Sequence, residues 1–306
     1  MLLALVLSAA NPSWAGPWVK ERGQLYTRVG YDYYRATKAF DNDGNRASMA
    51  DERFLSHLGG VFDEGAFASH TGSFYGEVGL GWHLEAFGSL PLSRVSNTWS
   101  FAVGESDDIV QTNAGFGDVV GGLRVGGLWK GWAGSLSTSI RAPLYDNHPE
   151  VLNQESGNTD FYDDKVPLGQ GTIDVDITAA GGTGWALRGL SGWASLEQAV
   201  RFRDRDYATA FPGMFQLGVK PVPPLAVMWN TFWQVTADNG SQPDFYFDAY
   251  GKGPTIIDRQ HYLKTAVGAM FDVREGLALE ASVGSTLVGA RTAAGWSAGC
   301  GMSYRR

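Results

Sequence analysis

The stretch Thr172-Ile173-Asp174-Val175-Asp176-Ile177-Thr178 indicates the fold, because apolar and polar side chains alternate at every residue. A β-strand points successive side chains to opposite faces, so this segment would have one apolar face and one polar face. The same alternation recurs in residues 135–141 and 277–284. Strands of this kind suit a barrel wall that meets hydrocarbon outside and a polar lumen inside.

The pattern predicts twelve strands, each bounded by turn residues. Most are near the ~9–11 residues that a tilted strand needs to cross a bilayer. The predicted strands are residues 24–36, 72–81, 84–92, 116–127, 132–142, 171–180, 190–202, 212–220, 225–236, 260–271, 277–287 and 292–304.

The composition agrees with a membrane-embedded β protein. The chain has 306 residues, of which 41 are glycine, 13% are aromatic and only 18% are charged, against roughly 25% charged residues in a typical soluble domain. After the first few residues, nothing approaches the ~20 consecutive apolar residues of a membrane helix. Within lipid, only a closed barrel satisfies every backbone group of a sheet. The alternative is a soluble sandwich whose apolar faces point inward.

The connections favour the barrel over the sandwich, because they alternate in length. Short turns are predicted at 82–83, 130–131, 181–189, 221–224 and 272–276, and a short connection at 288–291. Longer loops are predicted at 37–71, 93–115, 143–170, 203–211 and 237–259. Outer-membrane barrels have short periplasmic turns and long outer loops. Tryptophans, which favour the membrane–water interface, fall at or beside the short turns: Trp82, Trp129, Trp132 and Trp185.

We therefore predict an all-β fold, a closed antiparallel transmembrane β-barrel of twelve strands in the bacterial outer membrane. Residues 1–15 are predicted to be a signal peptide, with an apolar core at Leu2–Ala10 and cleavage after Ala15, and residues 16–306 the barrel. The alternative for residues 1–15 is a buried N-terminal helix. Export to this membrane implies the barrel-assembly machinery as a partner. The segment 16–23, with Trp18, would either enter the periplasmic mouth as a plug or fray.

The charged residues of the strands are predicted to line the lumen, because a charge at the lipid midplane costs up to about 2–4 kcal/mol. They comprise eight acids and eight bases: Arg28, Asp32, Glu77, Glu85, Asp118, Arg124, Arg141, Asp174, Asp176, Glu197, Arg201, Arg203, Lys220, Lys264, Glu280 and Arg291. Their balance suggests charge pairs across the bore. Two interpretations remain open: the pairs fill and rigidify the barrel, or they line a polar conduit.

The predicted outer loops 37–71 and 143–170 carry many acids, which account for most of the net charge of −8. This charge argues against a nucleic-acid partner. Two interpretations of these loops are open. They bind divalent cations beside lipopolysaccharide, or they form a solvated, repulsive surface. Within loop 37–71, Asp41, Asp43, Asn45 and Glu52 half-match a calcium-binding EF-hand loop, although Arg46 replaces its glycine. We expect outer-membrane lipid and lipopolysaccharide as partners, and no cofactor.

None of the five histidines lies in a recognisable nucleophile or metal-binding motif such as HExxH or GxSxG. The single cysteine, Cys300, excludes an intrachain disulfide. We therefore predict that the protein is not an enzyme.

Several segments resemble one family of outer-membrane barrels, the phenol-degradation MetA-pathway family. They are Gly115–Arg124, the first strand with Phe40–Asn45 after it, and Glu77–Trp82 followed by Gly88–Leu92. The similarity covers the N-terminal half and weakens after about residue 180. It implies a barrel that passes or binds small, hydrophobic or aromatic molecules. The alternative function is a closed structural or adhesive barrel with acidic surface loops. Outer-membrane barrels usually end on an aromatic residue, whereas here Tyr304 is followed by Arg305 and Arg306.

Overall fold

The computed structural model describes residues 16–41, 43–51, 62–101, 109–145, 166, 168–187, 189–240 and 259–306. The strands among these residues form one antiparallel sheet. Its strands are β1 (Leu25–Phe40), β2 (Arg46–Ser48), β3 (Phe62–Gly81), β4 (Leu84–Phe101), β5 (Ile109–Phe116), β6 (Asp118–Trp129), β7 (Trp132–Pro143), β8 (Asp174–Leu187), β9 (Leu190–Arg203), β10 (Ala210–Val222), β11 (Leu225–Thr236), β12 (His261–Arg274), β13 (Leu277–Ala290) and β14 (Thr292–Arg305).

The sheet is closed, because β1 also pairs with β14 along most of its length. Each described strand otherwise pairs with its neighbours in sequence, apart from the short β2, which pairs only with β1, and β5, which pairs only with β4. β5 and β6 both pair with β4 and form one crossing that is interrupted at Gly117. There the Gly117 N–H donates to the Pro91 carbonyl at 2.9 Å. Within the described residues the wall therefore has twelve crossings, which confirms the predicted barrel and its strand number.

Several predicted boundaries were wrong. The structure extends the second and third predicted strands through β3 and β4, so much of the predicted loops 37–71 and 93–115 is strand. The predicted turn 181–189 is also shorter, since β8 continues to Leu187. Beyond the lipid both faces of a strand meet polar surroundings, so the apolar alternation that reveals a strand disappears. The extended part of β4, with Ser96, Thr98 and Ser100 on its outer face, shows this loss.

The alternation follows the two faces of the wall. In β13, Glu280 is buried, whereas Leu279 and Val283 are exposed on the outer surface. The same outer surface carries the exposed Ile177 of β8 and Val267 of β12. Since these side chains form an apolar belt around a closed barrel, they face hydrocarbon. Among the described residues, no helix is long and apolar enough to cross a membrane.

Apart from the one-residue turn at Arg291, the short turns of the described chain lie at the end of the barrel where β1 begins and β14 ends, which is the periplasmic end in such proteins. Trp82 is 97% exposed, and Trp129 and Trp132 are 70% and 58% exposed, all at this end. An indole ring at an interface meets apolar and polar surroundings together. These tryptophans therefore mark the periplasmic edge of the belt.

Candidate functional site in the lumen

Residues 16–24 are here called the N-terminal segment. Residues 16–20 lie inside the periplasmic end of the barrel, and residues 21–24 are exposed just before β1. The segment runs so close to the wall that a Cβ on Gly79 would lie 1.9 Å from the Glu21 carbonyl oxygen. A Cβ on Gly182, in β8, would lie 2.7 Å from Pro17 Cγ. Glycine at these two wall positions leaves room for the segment. Of the two predicted alternatives for residues 16–23, the structure shows entry into the mouth.

Charge fixes this segment to the wall. The Lys20 ammonium forms an ion pair with Glu77 of β3 and lies 3.6 Å from Glu85 Oε2 of β4. The Lys20 backbone N–H donates to Glu85 Oε2 at 3.0 Å. Arg124 of β6 completes the cluster, donating from Nη1 to Glu85 Oε1 at 2.8 Å and to Glu77 Oε1 at 3.4 Å. Two cations thus oppose two fully buried carboxylates.

Further charges lie at the same level of the lumen. Arg28 Nε of β1 donates to Glu280 Oε2 of β13 at 2.7 Å, and both side chains are buried. Glu197 of β9 lies within the electrostatic influence of Arg124 and Glu77. We call Lys20, Arg28, Glu77, Glu85, Arg124, Glu197 and Glu280 the periplasmic charge layer.

A second group, the outer charge layer, comprises Asp118, Arg141, Asp174, Asp176 and Arg201. Its strongest pair is bidentate: Arg201 donates from Nε to Asp176 Oδ1 at 2.8 Å and from Nη2 to Oδ2 at 2.9 Å. Arg201 Nε is also 3.7 Å from Asp174 Oδ2. Arg141 lies 3.7 Å from Asp118 and 3.9 Å from Asp174. These charged side chains connect the start of β6 with the neighbouring strands β7, β8 and β9.

Tyr145, just beyond the end of β7, connects this layer to the outer loop. Its hydroxyl donates to Asp118 Oδ1 at 2.7 Å and accepts the Gly171 N–H at 3.1 Å. Burial, and then the nearby Asp118 carboxylate, raise the pKa of the Tyr145 phenol far above its ordinary value. The phenol therefore remains a hydrogen-bond donor across the physiological pH range.

Lys264 of β12 lies beside two aromatic rings in the lumen. Its ammonium is 4.5 Å from the ring centroid of Tyr262 and 5.8 Å from that of Tyr34. Within the described part of the chain, no carboxylate lies within ion-pair distance of Lys264. A cation beside aromatic faces is stabilised by their quadrupoles. Sequence reasoning identified Lys264, but neither tyrosine.

The remaining predicted residues occupy different places. Asp32 lies against Gly299 of β14, and Arg203 Nε donates to the Ala208 carbonyl at 2.6 Å near the outer end. Lys220 is 3.4 Å from Asp272 at the periplasmic end. Arg291 departs from its predicted lumen position, because it lies in the tight turn between β13 and β14 with a positive φ of 56°. A residue at that turn belongs to the rim of the barrel rather than to the wall.

Two other predictions stay open. Asp41 Oδ1 accepts the backbone N–H groups of Asp43 and Asn45 at 3.0 and 2.8 Å, which closes a turn around this carboxylate. Glu52, the fourth residue of the calcium candidate, lies outside the described residues. No group of three or more His, Cys, Asp or Glu side chains suited to a metal ion occurs in the described part. The predicted signal peptide, residues 1–15, also lies outside it.

A cavity of about 560 Å³ lies between the N-terminal segment and the opposite wall. Glu275 and Gly276 of the β12–β13 turn line its rim, so it opens at the periplasmic end. Its lining combines aromatic, aliphatic and charged side chains, including Trp18, Tyr26, Trp193, Met270, Lys20 and Lys220. Such a lining suits a small amphipathic molecule.

The barrel architecture is similar to that of solved outer-membrane proteins. The COG4313 outer membrane channel from Pseudomonas putida F1 superposes with a TM-score of 0.63 and 13% identity, over 96% of this chain and 99% of that one. The present chain is likewise an outer-membrane β-barrel. The translocator domain of the autotransporter NalP from Neisseria meningitidis gives a TM-score of 0.45 at 12% identity, over 94% of this chain and 90% of that one. No family model and no curated protein sequence matches the chain.

Proposed function

We propose that this outer-membrane barrel passes small molecules, and that the N-terminal segment forms its constriction. The main support for this proposal is the cavity beside Trp18 and Lys20, which leaves space between the segment and the wall of β9–β14. Its volume of about 560 Å³ is of the size that accepts a small organic molecule. The similar Pseudomonas structure is named an outer membrane channel, which supports passage as the general activity.

Small hydrophobic or aromatic molecules are the proposed solutes. Trp18, Tyr26 and Trp193 offer ring faces at the periplasmic cavity, and Tyr34 and Tyr262 flank Lys264 higher in the lumen. Offset or edge-to-face contacts between rings contribute about 0.5–1.5 kcal/mol beyond burial. The resemblance of Gly115–Arg124 to the phenol-degradation MetA-pathway family supports the same class of solute.

The second candidate function is a closed structural barrel. It is favoured by the ion pairs of Lys20 and Arg124 with Glu77 and Glu85, which fix the N-terminal segment inside the mouth. Removing one partner from a buried ion pair is costly. The segment is therefore held in place more firmly than a frayed end, and the cavity beside it would be a local void rather than part of a path.

Planar-bilayer conductance and liposome swelling distinguish the two functions. The chain that begins at residue 16 should give a small, measurable current and should admit phenol-sized solutes. A variant lacking residues 16–22 should conduct more, because the constriction is gone. The control variant lacks seven residues, 245–251, of the connection between β11 and β12. If neither the complete chain nor the variant without 16–22 passed ions or solutes, the barrel would be closed and the proposal refuted.

A further inference from the structure

On the outer surface of β1, β3 and β4, one row of residues separates large apolar side chains from polar or small ones. Tyr33, His70 and Arg94 lie side by side there, because Tyr33 pairs with His70 and His70 pairs with Arg94. The Tyr33 ring is 4.9 Å from the His70 ring and 5.3 Å from that of Trp296. Below this row large apolar side chains face outward, as with Phe74 and Leu92, whereas above it the outward residues are polar or are small alanines.

The row lies at the outer edge of the membrane. His70 is ten residues from Leu80, at the periplasmic end of β3, and Arg94 is ten residues from Leu84 on β4. A tilted strand crosses the hydrocarbon in about 9–11 residues. Tyr33, Trp296 and His70 therefore occupy the outer interface, where aromatic rings collect, and Arg94 reaches the headgroup level.

A concave surface of about 590 Å³ lies directly above this row, on the outside of the wall. Its floor includes the small Ala66 and Ala68 of β3. Arg35 and Lys38 border it on β1, and hydroxyl side chains border it on β4, namely Ser96, Thr98 and Ser100. Guanidinium, ammonium and hydroxyl groups together are the donors that bind phosphate oxygens.

These cations are available to a ligand. Among the described residues, no carboxylate lies within ion-pair distance of Arg35, Lys38 or Arg94, and all three side chains are exposed. Glu64 also lines the concave surface. Arg35 and Lys38 outweigh this single acid, and Arg94 adds a third positive charge beneath them. Among the described residues the patch is thus positive, on a protein whose net charge is −8.

We propose that this surface binds the phosphorylated headgroup of an anionic glycolipid of the outer leaflet, with its acyl chains on the apolar belt below. The continuity between the concave surface and the belt favours a membrane-anchored lipid over a free anion, since one molecule would satisfy both. Arg94 and Arg35 hold the phosphate, while Ser96 and Thr98 donate to the sugar or phosphate oxygens. The binding is independent of what passes through the lumen.

Lipid binding to the folded chain in detergent, followed by native mass spectrometry, tests the proposal. The probes are bisphosphorylated lipid A, the same lipid after removal of its phosphates, and inorganic phosphate. Lipid A should bind, and Arg35→Gln and Arg94→Gln should each weaken it about fivefold, as expected for one surface cation near anionic lipid. Lys130→Gln is the matched control, since Lys130 lies exposed in the periplasmic turn over the Trp129 ring.

Three results would overturn the proposal. The first is that the Arg35→Gln/Arg94→Gln double variant binds lipid A as tightly as the parent. The second is that the parent binds the dephosphorylated lipid as tightly as lipid A. The third is that an equimolar amount of inorganic phosphate displaces lipid A. All variants are first required to show the heat-dependent gel shift of a folded barrel. These surface residues make no ion pair within the described chain, so we expect the variants to fold normally.

Discussion

Lys20 of the N-terminal segment forms an ion pair with Glu77 of β3, whose side chain is fully buried. Glu77 is shared, because Arg124 Nη1 also lies 3.4 Å from its other oxygen. The same two cations contact Glu85. The N-terminal segment is therefore part of the charge network of the wall, and its release would leave two acids facing a single arginine.

Replacing Lys20 with methionine should loosen the segment. The variant loses the charged hydrogen bonds of Lys20 and leaves excess negative charge at Glu77 and Glu85, so we expect a loss of about 1.5–3 kcal/mol in unfolding free energy. Single-channel conductance should rise, and the segment should become accessible to protease. Arg22→Met is the control, because Arg22 is exposed at the turn before β1. Unchanged conductance and protection in Lys20→Met would show that the ion pair does not hold the segment.

A glycine substitution tests the position of the segment without changing charge. A Cβ on Gly79 would meet the Glu21 carbonyl at 1.9 Å, whereas on Gly72 of the same strand it would approach nothing closer than 3.9 Å. Gly79→Ala should therefore displace the segment and increase conductance. Gly72→Ala should leave the current within experimental error of the parent. Equal currents from both variants would mean that residues 20–21 do not lie against β3 in the membrane.

The bidentate pair of the outer charge layer predicts that arginine and lysine are not interchangeable at position 201. Lysine retains the charge but lacks the planar fork that meets both oxygens of Asp176. We expect Arg201→Lys to cost about 1.5–3 kcal/mol, the value of a hydrogen bond between charged groups. Equilibrium unfolding in lipid vesicles measures this cost.

Arg205→Lys is the comparison for that substitution. Arg205 is half-exposed and lies 3.8 Å from Asp204 in the outer connection, where an ion pair is worth about 0–1 kcal/mol. Similar free energies for Arg201→Lys and Arg205→Lys would contradict the assigned importance of the bidentate geometry.

Most of the fold could be predicted from the sequence, because hydrocarbon imposes a strict two-residue period. Ile173, Val175 and Ile177 lie on the outer surface as expected. The period fails where lipid ends, and this failure explains why β3 and β4 were predicted too short. Ser96 and Thr98 extend a strand through polar surroundings, where neither face needs to be apolar.

The partners of the lumen charges could be predicted less well. The alternation assigned Glu77, Glu85 and Arg124 to one face. Whether these side chains come into contact depends on the stagger of β3, β4 and β6, which the alternation does not give. Lys20 lies outside any strand, so periodicity gave it no position. Small residues at Gly79 and Gly182 were the available signal, since inward glycines in a wall leave room for another backbone.

The outer face of β13 should tolerate a charge less at the middle of the apolar belt than near its edge. Val283 lies near the middle of β13 and is 63% exposed on the outer surface, while Leu287 lies closer to the outer end. Arginine at the midplane should cost about 2–4 kcal/mol, but only about 0–1 kcal/mol near the interface. Val283→Arg should therefore destabilise the barrel more than Leu287→Arg, as measured by reversible unfolding in vesicles. Equal costs at both depths would mean that β13 does not cross the hydrocarbon in this register, because only a lipid environment makes the penalty depend on depth.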